Sequence, residues 1–377
     1  MIDVDGLRTA FPASRAAAYL NTGTFGPLPE RARQAMVEHL DERTRDGRIG
    51  SKGFARWMEL IGSAREALAG VVRAAPEDIA VTHSTTDGVN VVIGGMDWRA
   101  GDVVVTTGSE HPGLTEPLHW ASQRHGVVVR EVDVDAADDP VAAIAGALDE
   151  RTRLVALSHV LWTDGRVLDL AGISAAAHAA GALVLADGAQ GPGCIPIDCP
   201  ALGADFYTIS GQKWLCGPSG TGGLYVRPDS IDAIAPAWPN YMTRDRRSEG
   251  SPLWPAGRRF DVGTVTLGAL AGLVASVAVR QELGIEAGAA RALELSARLR
   301  VQLHDVPGVE PIAVDRPSSL VAFQVGGDPD EIGKGLEERG VLVRSVPGRP
   351  WVRASVGPWN DEGDLDRLAD GLRALTA

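Results

Sequence analysis

A lysine lies three residues past a serine that ends an apolar run, in Thr208-Ile209-Ser210-Gly211-Gln212-Lys213-Trp214. A glycine-rich stretch, Cys216-Gly217-Pro218-Ser219-Gly220-Thr221-Gly222-Gly223, follows it. An amine held in a half-dry turn loses hydration, so its pKa falls and it can attack a carbonyl to form a Schiff base. The plainer alternative is a surface lysine beside a turn. A phosphate-binding P-loop does not fit, because Lys213 precedes the glycine-rich stretch and is followed directly by Trp214, not by Ser or Thr.

Four further segments carry residues with matching chemistry. Asp187 follows the apolar run Leu183-Val184-Leu185-Ala186, beyond the carboxyl end of an expected strand, where open α/β sheets place ligands. A carboxylate there can pair with a pyridinium nitrogen and keep the ring ready to accept carbanion electrons. Gln190 can donate to a hydroxyl of the same ring. A helix N-cap is the plainer role for Asp187. Ser84, Thr85 and Thr86 stand where a strand gives way to a helix, whose free N–H groups and dipole suit a phosphate; an ordinary cap is the alternative. His111, in Ser109-Glu110-His111-Pro112-Gly113, can stack on a flat ring and move protons, or be purely structural. Arg344 and Arg353, with Arg349 between them, can face one site and bind carboxylate in bidentate fashion, or form a solvated basic rim.

The elements that must position these residues follow from periodicity. Apolar β-branched runs at 79–82, 103–107, 127–131, 153–158, 182–186, 205–209 and 222–226 read as strands, several of them apolar throughout and hence covered on both faces. Helical stretches at 55–73, 87–95, 114–124, 139–149 and 169–179 alternate with them, which predicts an α/β domain with a mostly parallel seven-stranded sheet. Residues 265–303 read as one long helix or two broken ones. A smaller α+β unit follows, with strands at 319–325, 341–345 and 351–356 and helices at 329–339 and 361–375. The expected division is an N-terminal segment 1–16 packing on the small unit, a large domain 17–262 and a small C-terminal domain 263–377. The stretch 236–257, rich in Pro, Trp, Arg and Ser, is too long for a bare connector and is expected to be functional or disordered.

Composition bounds the rest. The chain has 377 residues and 45% hydrophobic content, enough for two or three well-packed domains. A net charge of −13 disfavours nucleic acid as a partner. Three cysteines, at 194, 199 and 216, are too few and unpaired for a disulfide framework or a zinc ribbon, so no metal is expected. No basic-then-apolar leader opens the sequence and no apolar run reaches roughly 18 residues, so the expectation is a cytoplasmic protein without a membrane span. A nicotinamide-binding fold lacks its Gly-x-Gly-x-x-Gly after the first strand. A ligand-binding module that merely kept the fold is argued against by the intact Lys213 and Asp187.

Taken together these motifs resemble the class V aminotransferase family of fold-type I pyridoxal-phosphate (PLP) enzymes, which includes the cysteine desulfurases. The resemblance runs from Tyr19-Leu20-Asn21-Thr22-Gly23 to Arg353-Ala354-Ser355-Val356-Gly357-Pro358-Trp359-Asn360. It implies that PLP bonds to Lys213, with Asp187 on the ring nitrogen, Gln190 on the ring hydroxyl and His111 stacked on the ring. Thr86, Ser210 and Gln212 would hold the phosphate, beside Ser84 and Thr85, which the helix start already offers to it. Asn21, Trp162, Arg344 and Arg353 would line the substrate, with Arg353 on its carboxylate. Thr264 matches the position that reaches the neighbouring subunit's phosphate, which implies a homodimer with shared sites. Three departures stand out. No Cys lies within 344–353, where the desulfurases carry their sulfur acceptor; Trp162 replaces an Asn; and Gln212 replaces a His before the lysine. The first two departures are similar to the cysteine/cystine C–S lyases. The expected activity is therefore β-elimination from cysteine, cystine or an S-substituted cysteine. Transamination, decarboxylation and isopenicillin-N-epimerase-like chemistry remain the alternatives. The paired arginines also suggest a substrate with a second carboxylate.

Overall fold

The structure is a computed structural model that describes residues 3–376; Met1, Ile2 and Ala377, within the expected terminal segments, lie outside it. Thirteen strands run through the described residues. They are β1 (Ala18–Tyr19), β2 (Ile79–Thr82), β3 (Val103–Thr107), β4 (Val128–Val132), β5 (Thr152–Ser158), β6 (Leu183–Asp187), β7 (Phe206–Ser210), β8 (Gly222–Val226), β9 (Val309–Pro311), β10 (Leu320–Val325), β11 (Val341–Leu342), β12 (Arg344–Val346) and β13 (Trp351–Ser355).

Seven of them form one sheet in the order β2-β8-β7-β6-β5-β3-β4. Its pairs are parallel except those of β8, which runs antiparallel to both β2 and β7. The near-continuous apolar runs of the sequence are explained by burial on both faces. Val184 and Ala186 of β6 enter one core with Val155 and Leu157 of β5, while Leu185 enters the opposite core with Leu154 and Ala156. Successive side chains of a strand alternate sides, so a strand covered by helices on both faces has no polar register. Each buried Leu or Val of this kind contributes about 1.5–3 kcal/mol.

The helices start where short polar caps allow. Ser84 caps Thr85–Gly95 by accepting from Asp87 N at 3.1 Å, and Asp169 caps Leu170–Ala179. His111 caps Pro112–His125, which ends at the left-handed Gly126. The expected helix or helices of 265–303 are two, Leu267–Glu282 and Ile285–His304, bent by 73° at Leu283-Gly284, where Gly284 has φ +80°. No single helix among the described residues is long and apolar enough to cross a membrane.

The C-terminal unit is a four-stranded antiparallel sheet in the order β12-β13-β10-β9, backed by Ile285–His304, Pro329–Glu337 and Glu362–Thr376. The single strand expected at 341–345 is in fact two. β11 pairs in parallel with β1, whereas β12 belongs to the four-stranded sheet. A break at Val343 lets one short segment serve both, and it ties the entry of the chain to this unit: Ala18 and Leu20 share its core. The helix Val4–Ala10 lays Leu7 and Phe11 against Trp359, Val279 and Cys216.

Candidate active site

Lys213 is held by a turn with little freedom. Gly211 sits so close to Thr221 that a Cβ would come 2.1 Å from its Oγ1. Gly217 N and Cys216 N close the turn on Gly211 O and Lys213 O at 2.8 and 3.0 Å. From the other side, Gly26 donates to Gln212 O at 2.8 Å, and a Cβ on Gly26 would fall 2.0 Å from Lys213 O. The N-terminal strap therefore pins the lysine turn by direct backbone contact. Burial, together with Arg353 and Arg344, lowers the Lys213 amine to about 8, against the pull of Asp187. A lowered pKa frees the amine at lower pH, so capture of PLP by cofactor-free protein is expected to accelerate about tenfold per pH unit below about 8 and level off above it. A stopped-flow pH series checks this; a rate still climbing toward 10.5 would mark an ordinary lysine.

Asp187 ends β6, opposite Ser158 at the end of β5. No helix starts after it, so it is not an N-cap. Its Oδ1 accepts from Thr208 Oγ1 at 3.1 Å and Ala189 N at 2.9 Å, while Oδ2 has no hydrogen-bond partner among the described residues. One oxygen fixes the carboxylate and the other remains for a ligand. Gln190 is more engaged than its sequence suggests. Its Oε1 accepts from Trp214 Nε1 at 2.7 Å, and its Nε2 donates to Gly23 O at 2.9 Å, which leaves one N–H for a ring oxygen. Beneath them, the buried Tyr207 hydroxyl and His159 Nδ1 lie 3.1 Å apart, a support that sequence reading did not single out.

His111 Nδ1 accepts from Gly113 N at 3.0 Å, so the neutral ring carries its proton on Nε2. Burial and then Lys213 lower its pKa, which keeps it neutral. Its ring meets Trp162 edge-on, 5.2 Å between centroids. The helix N-terminus beside it offers the first-turn N–H groups of Thr85 and Thr86, which have no intrahelical partner. A Cβ on Gly113 would come 2.7 Å from Thr86 Oγ1, so this terminus and the His111 turn are neighbours. Ser84 Oγ accepts the cap bond from Asp87 N, which leaves its O–H proton free to donate. Ser210 Oγ donates to Gln212 Oε1 at 2.9 Å, which leaves the Gln212 amide N–H groups free.

Arg344 and Arg353 stand directly opposite each other on β12 and β13. Arg353 is 1% exposed; among the described residues it has no carboxylate within 4.0 Å and its Nε has no partner, while its Nη1 bonds Trp162 O. Burial, then Arg344, lowers the pKa of its guanidinium. Both guanidinium groups lie 3.5 Å from Thr24 Oγ1, whose own proton goes to Asn21 Oδ1 at 2.7 Å. The arginines converge on a single hydroxyl, in a geometry suited to one anion. Arg344 also lies 5.9 Å over the Trp162 ring. Thr24 went unnoticed in the sequence because nothing local marks it; only the fold brings it between two cations more than 300 residues away. Arg349 points elsewhere, pairing with Asp135 at 3.2 Å and stacking on Trp351.

The charges of Asp187, Arg344 and Arg353 all act on both Lys213 and His111. Lys213, Asp187, Gln190, His111, Trp162, Asn21 and the two arginines thus share one crevice. Thr264 does not join them. It is exposed and bonds the Tyr241 hydroxyl at 2.8 Å.

A softened amine, a half-free carboxylate on a strand end, an imidazole, a helix N-terminus and an unneutralised guanidinium fit a flat aldehyde cofactor bearing a phosphate and a basic ring nitrogen. The fold is that of the fold-type I PLP enzymes, with PLP as cofactor. Residues 19–368 match the family described as aminotransferase class-V, and the chain belongs to that family. It is 30% identical to a probable cysteine desulfurase of Methanothermobacter thermautotrophicus, over 98% of each chain. It is 31% identical to isopenicillin N epimerase of Streptomyces clavuligerus, over 95% of this chain and 94% of that one. Among solved structures it superposes on C-DES. The complex of that cystine C–S lyase with its product cysteine persulfide gives a TM-score of 0.92 at 31% identity, covering 96% of this chain and 99% of that one. A C-DES mutant with glycine covalently linked to the PLP cofactor gives 0.93 at 31% identity, covering 97% and 98%.

Proposed function

We propose that this enzyme is a C–S lyase that removes the sulfur substituent from the β-carbon of cysteine, cystine or an S-substituted cysteine. The observation that carries the reading is the absence of an available thiol. The β12–β13 hairpin has no Cys, and Cys194, Cys199 and Cys216 are all buried. Burial pushes Cys194 up to about 11 and Cys216 up to about 12, so neither is a thiolate near neutrality. A desulfurase that passes sulfur to its own cysteine has no acceptor here. The likeness to C-DES supports the same choice.

PLP supplies an aldehyde for the substrate amine and a ring that takes up the electron pair of the α-carbon. The protein's part is as follows. Arg353 and Arg344 hold the substrate carboxylate, while Asn21 and Trp162 flank it. Lys213, basic near neutrality, removes the α-proton. Asp187 Oδ2 would keep the proton on the ring nitrogen, and Gln190 would donate to the ring hydroxyl. His111, with its proton on Nε2, would protonate the departing sulfur. Ser84, Thr85, Thr86 and Gln212 would donate to the phosphate, and Ser210 would join them by turning its proton from Gln212 Oε1 to the phosphate. With one water the balance is pyruvate, ammonia and the protonated sulfur leaving group: hydrogen sulfide from cysteine, a persulfide from cystine, a thiol from an S-substituted cysteine. A second reading, favoured by the likeness to isopenicillin N epimerase, is inversion at the α-carbon by the same lysine.

A panel of amino acids tests this. Cystine or an S-substituted cysteine is expected to give pyruvate and a sulfur product at least about 100-fold faster than alanine or glutamate gives any product, since the leaving group alone separates them. A keto acid that retains its side chain, or a product of inverted configuration with no pyruvate, overturns the lyase reading.

The same proposal includes a homodimer. Phe25, Phe54, Trp238 and Tyr241 are each about half exposed, and Tyr241 holds Thr264 at the surface, an arrangement suited to completing a partner's phosphate site. It also keeps the division into a terminal segment to residue 16, a large unit to 262 and a small unit beyond.

A further inference from the structure

One ionisable group inside the crevice has no part in the chemistry above. Glu110 is 8% exposed, and among the described residues no Lys, Arg or His lies within 4.0 Å of its carboxyl group. It accepts instead from three neutral donors. Thr107 Oγ1 lies at 2.7 Å, Ser158 N at 3.0 Å from both oxygens, and Ser158 Oγ at 2.5 Å. Thr107 is the last residue of β3 and Ser158 the last of β5. These two strands are neighbours, but their register ends at Val105 and Val155. Beyond that point the strand ends part, and Ser158 N would lack a ladder partner. The carboxyl group takes the place of the missing rung.

Two consequences follow from this placement. Ser158 is paired on its other side with Asp187, so the clamp reaches the residue on the ring nitrogen through one backbone rung. In the chain, Glu110 immediately precedes His111, so the same clamp fixes the turn that carries the imidazole. We propose that Glu110 is a positioning residue. Its carboxyl group bridges the parted ends of β3 and β5, and so sets His111 and Asp187 relative to the cofactor. This rests on the PLP reading of the site. Burial raises the Glu110 carboxyl to about 7, with Ser158 and Thr107 opposing and Asp187 adding to the rise. Its charge beside Asp187 is therefore partial near neutrality, and hydrogen bonding is the property it contributes.

The test uses the PLP-loaded enzyme and two variants. Glu110→Gln keeps an acceptor for Ser158, and its amide can donate to Thr107; Glu110→Ala removes the clamp. Glu110→Ala is expected to lower kcat by about 10- to 100-fold with KM within about threefold, the size of loss that small misplacement of reacting groups produces. The visible circular dichroism of the bound cofactor, which reports its asymmetric surroundings, should fall by more than about half. Glu110→Gln should stay within about threefold of wild type in kcat and keep the dichroic band. Wild-type kcat and dichroism in Glu110→Ala would overturn the proposal, as would an equal fall in both variants. Should Glu110→Ala not fold, Ser158→Ala removes one leg of the clamp and is expected to cost about 3- to 10-fold in kcat; no change overturns the proposal. A wild-type enzyme that binds no PLP would sink the cofactor reading instead, which keeps the two failures distinct.

Discussion

Lys213→Ala is expected to lower kcat by about 10²–10⁴-fold and to remove the visible colour of the lysine-bound cofactor. Two functions are lost with one amine. The covalent anchor of PLP disappears, and so does the base within reach of the substrate α-proton. Binding of PLP itself should weaken much less, because Thr85, Thr86, Gln212 and Asp187 stand apart from the lysine side chain. The turn should also survive, since it is fastened by backbone bonds from Gly26, Gly211 and Cys216 that Ala leaves in place. Absorbance spectra of dialysed protein, together with turnover on the best substrate of the panel, check both parts. An alanine variant that stays coloured after dialysis and turns over at the wild-type rate would remove Lys213 from the chemistry.

Much of that site was legible before any coordinates, and the reason is physical. A strand buried on both faces must be apolar throughout, so β5, β6 and β7 announce themselves within a residue of their observed ends. Ligand crevices of such sheets lie at the carboxyl ends of the strands. Asp187, Ser210 and, by the next turn, Lys213 could therefore be placed together. The direction of β8 was not legible, because an apolar pentapeptide carries no mark of parallel or antiparallel pairing. The split of 341–345 was hidden too, since its cause is β1, more than 300 residues away. The amphipathic helix Glu30–Asp46 left only Ala32 buried and gave a weak apolar pattern. Glu110 and Thr24 were missed for a common reason. Each works through partners brought in by the fold, Ser158 for one and the two arginines for the other, and neither sits in a pattern that announces chemistry. Ser84 was legible as a helix cap, since it stands where a strand gives way to a helix, and its Oγ accepts from Asp87 N.

Arg353→Met is expected to raise KM for the amino-acid substrate by about 100-fold or more while leaving the thermal midpoint unchanged or higher. Arg353 is buried without an anion and faces Arg344, a like charge, across the β12–β13 pair. A buried cation in that state weakens the empty protein, and a hydrophobic residue of similar volume often relieves such a burden. Its bonds to Trp162 O and Thr24 Oγ1 return little of that cost, the latter being 3.5 Å long. Substrate carboxylate repays it, through charge-assisted bonds of about 1.5–3 kcal/mol each in a water-poor crevice. Because Arg344 converges on the same hydroxyl, the two arginines share one carboxylate, and the loss of either should be felt equally by monoanionic and dianionic substrates. Sequence spacing alone had suggested a second carboxylate; the meeting point at Thr24 argues for one. Arg353→Lys should recover only part of the affinity, since an ammonium cannot offer the planar fork. Steady-state kinetics beside thermal melts separate the outcomes. A collapsed midpoint with an unchanged KM would make Arg353 a structural residue, and a selective loss of dianionic substrates would restore the two-carboxylate view.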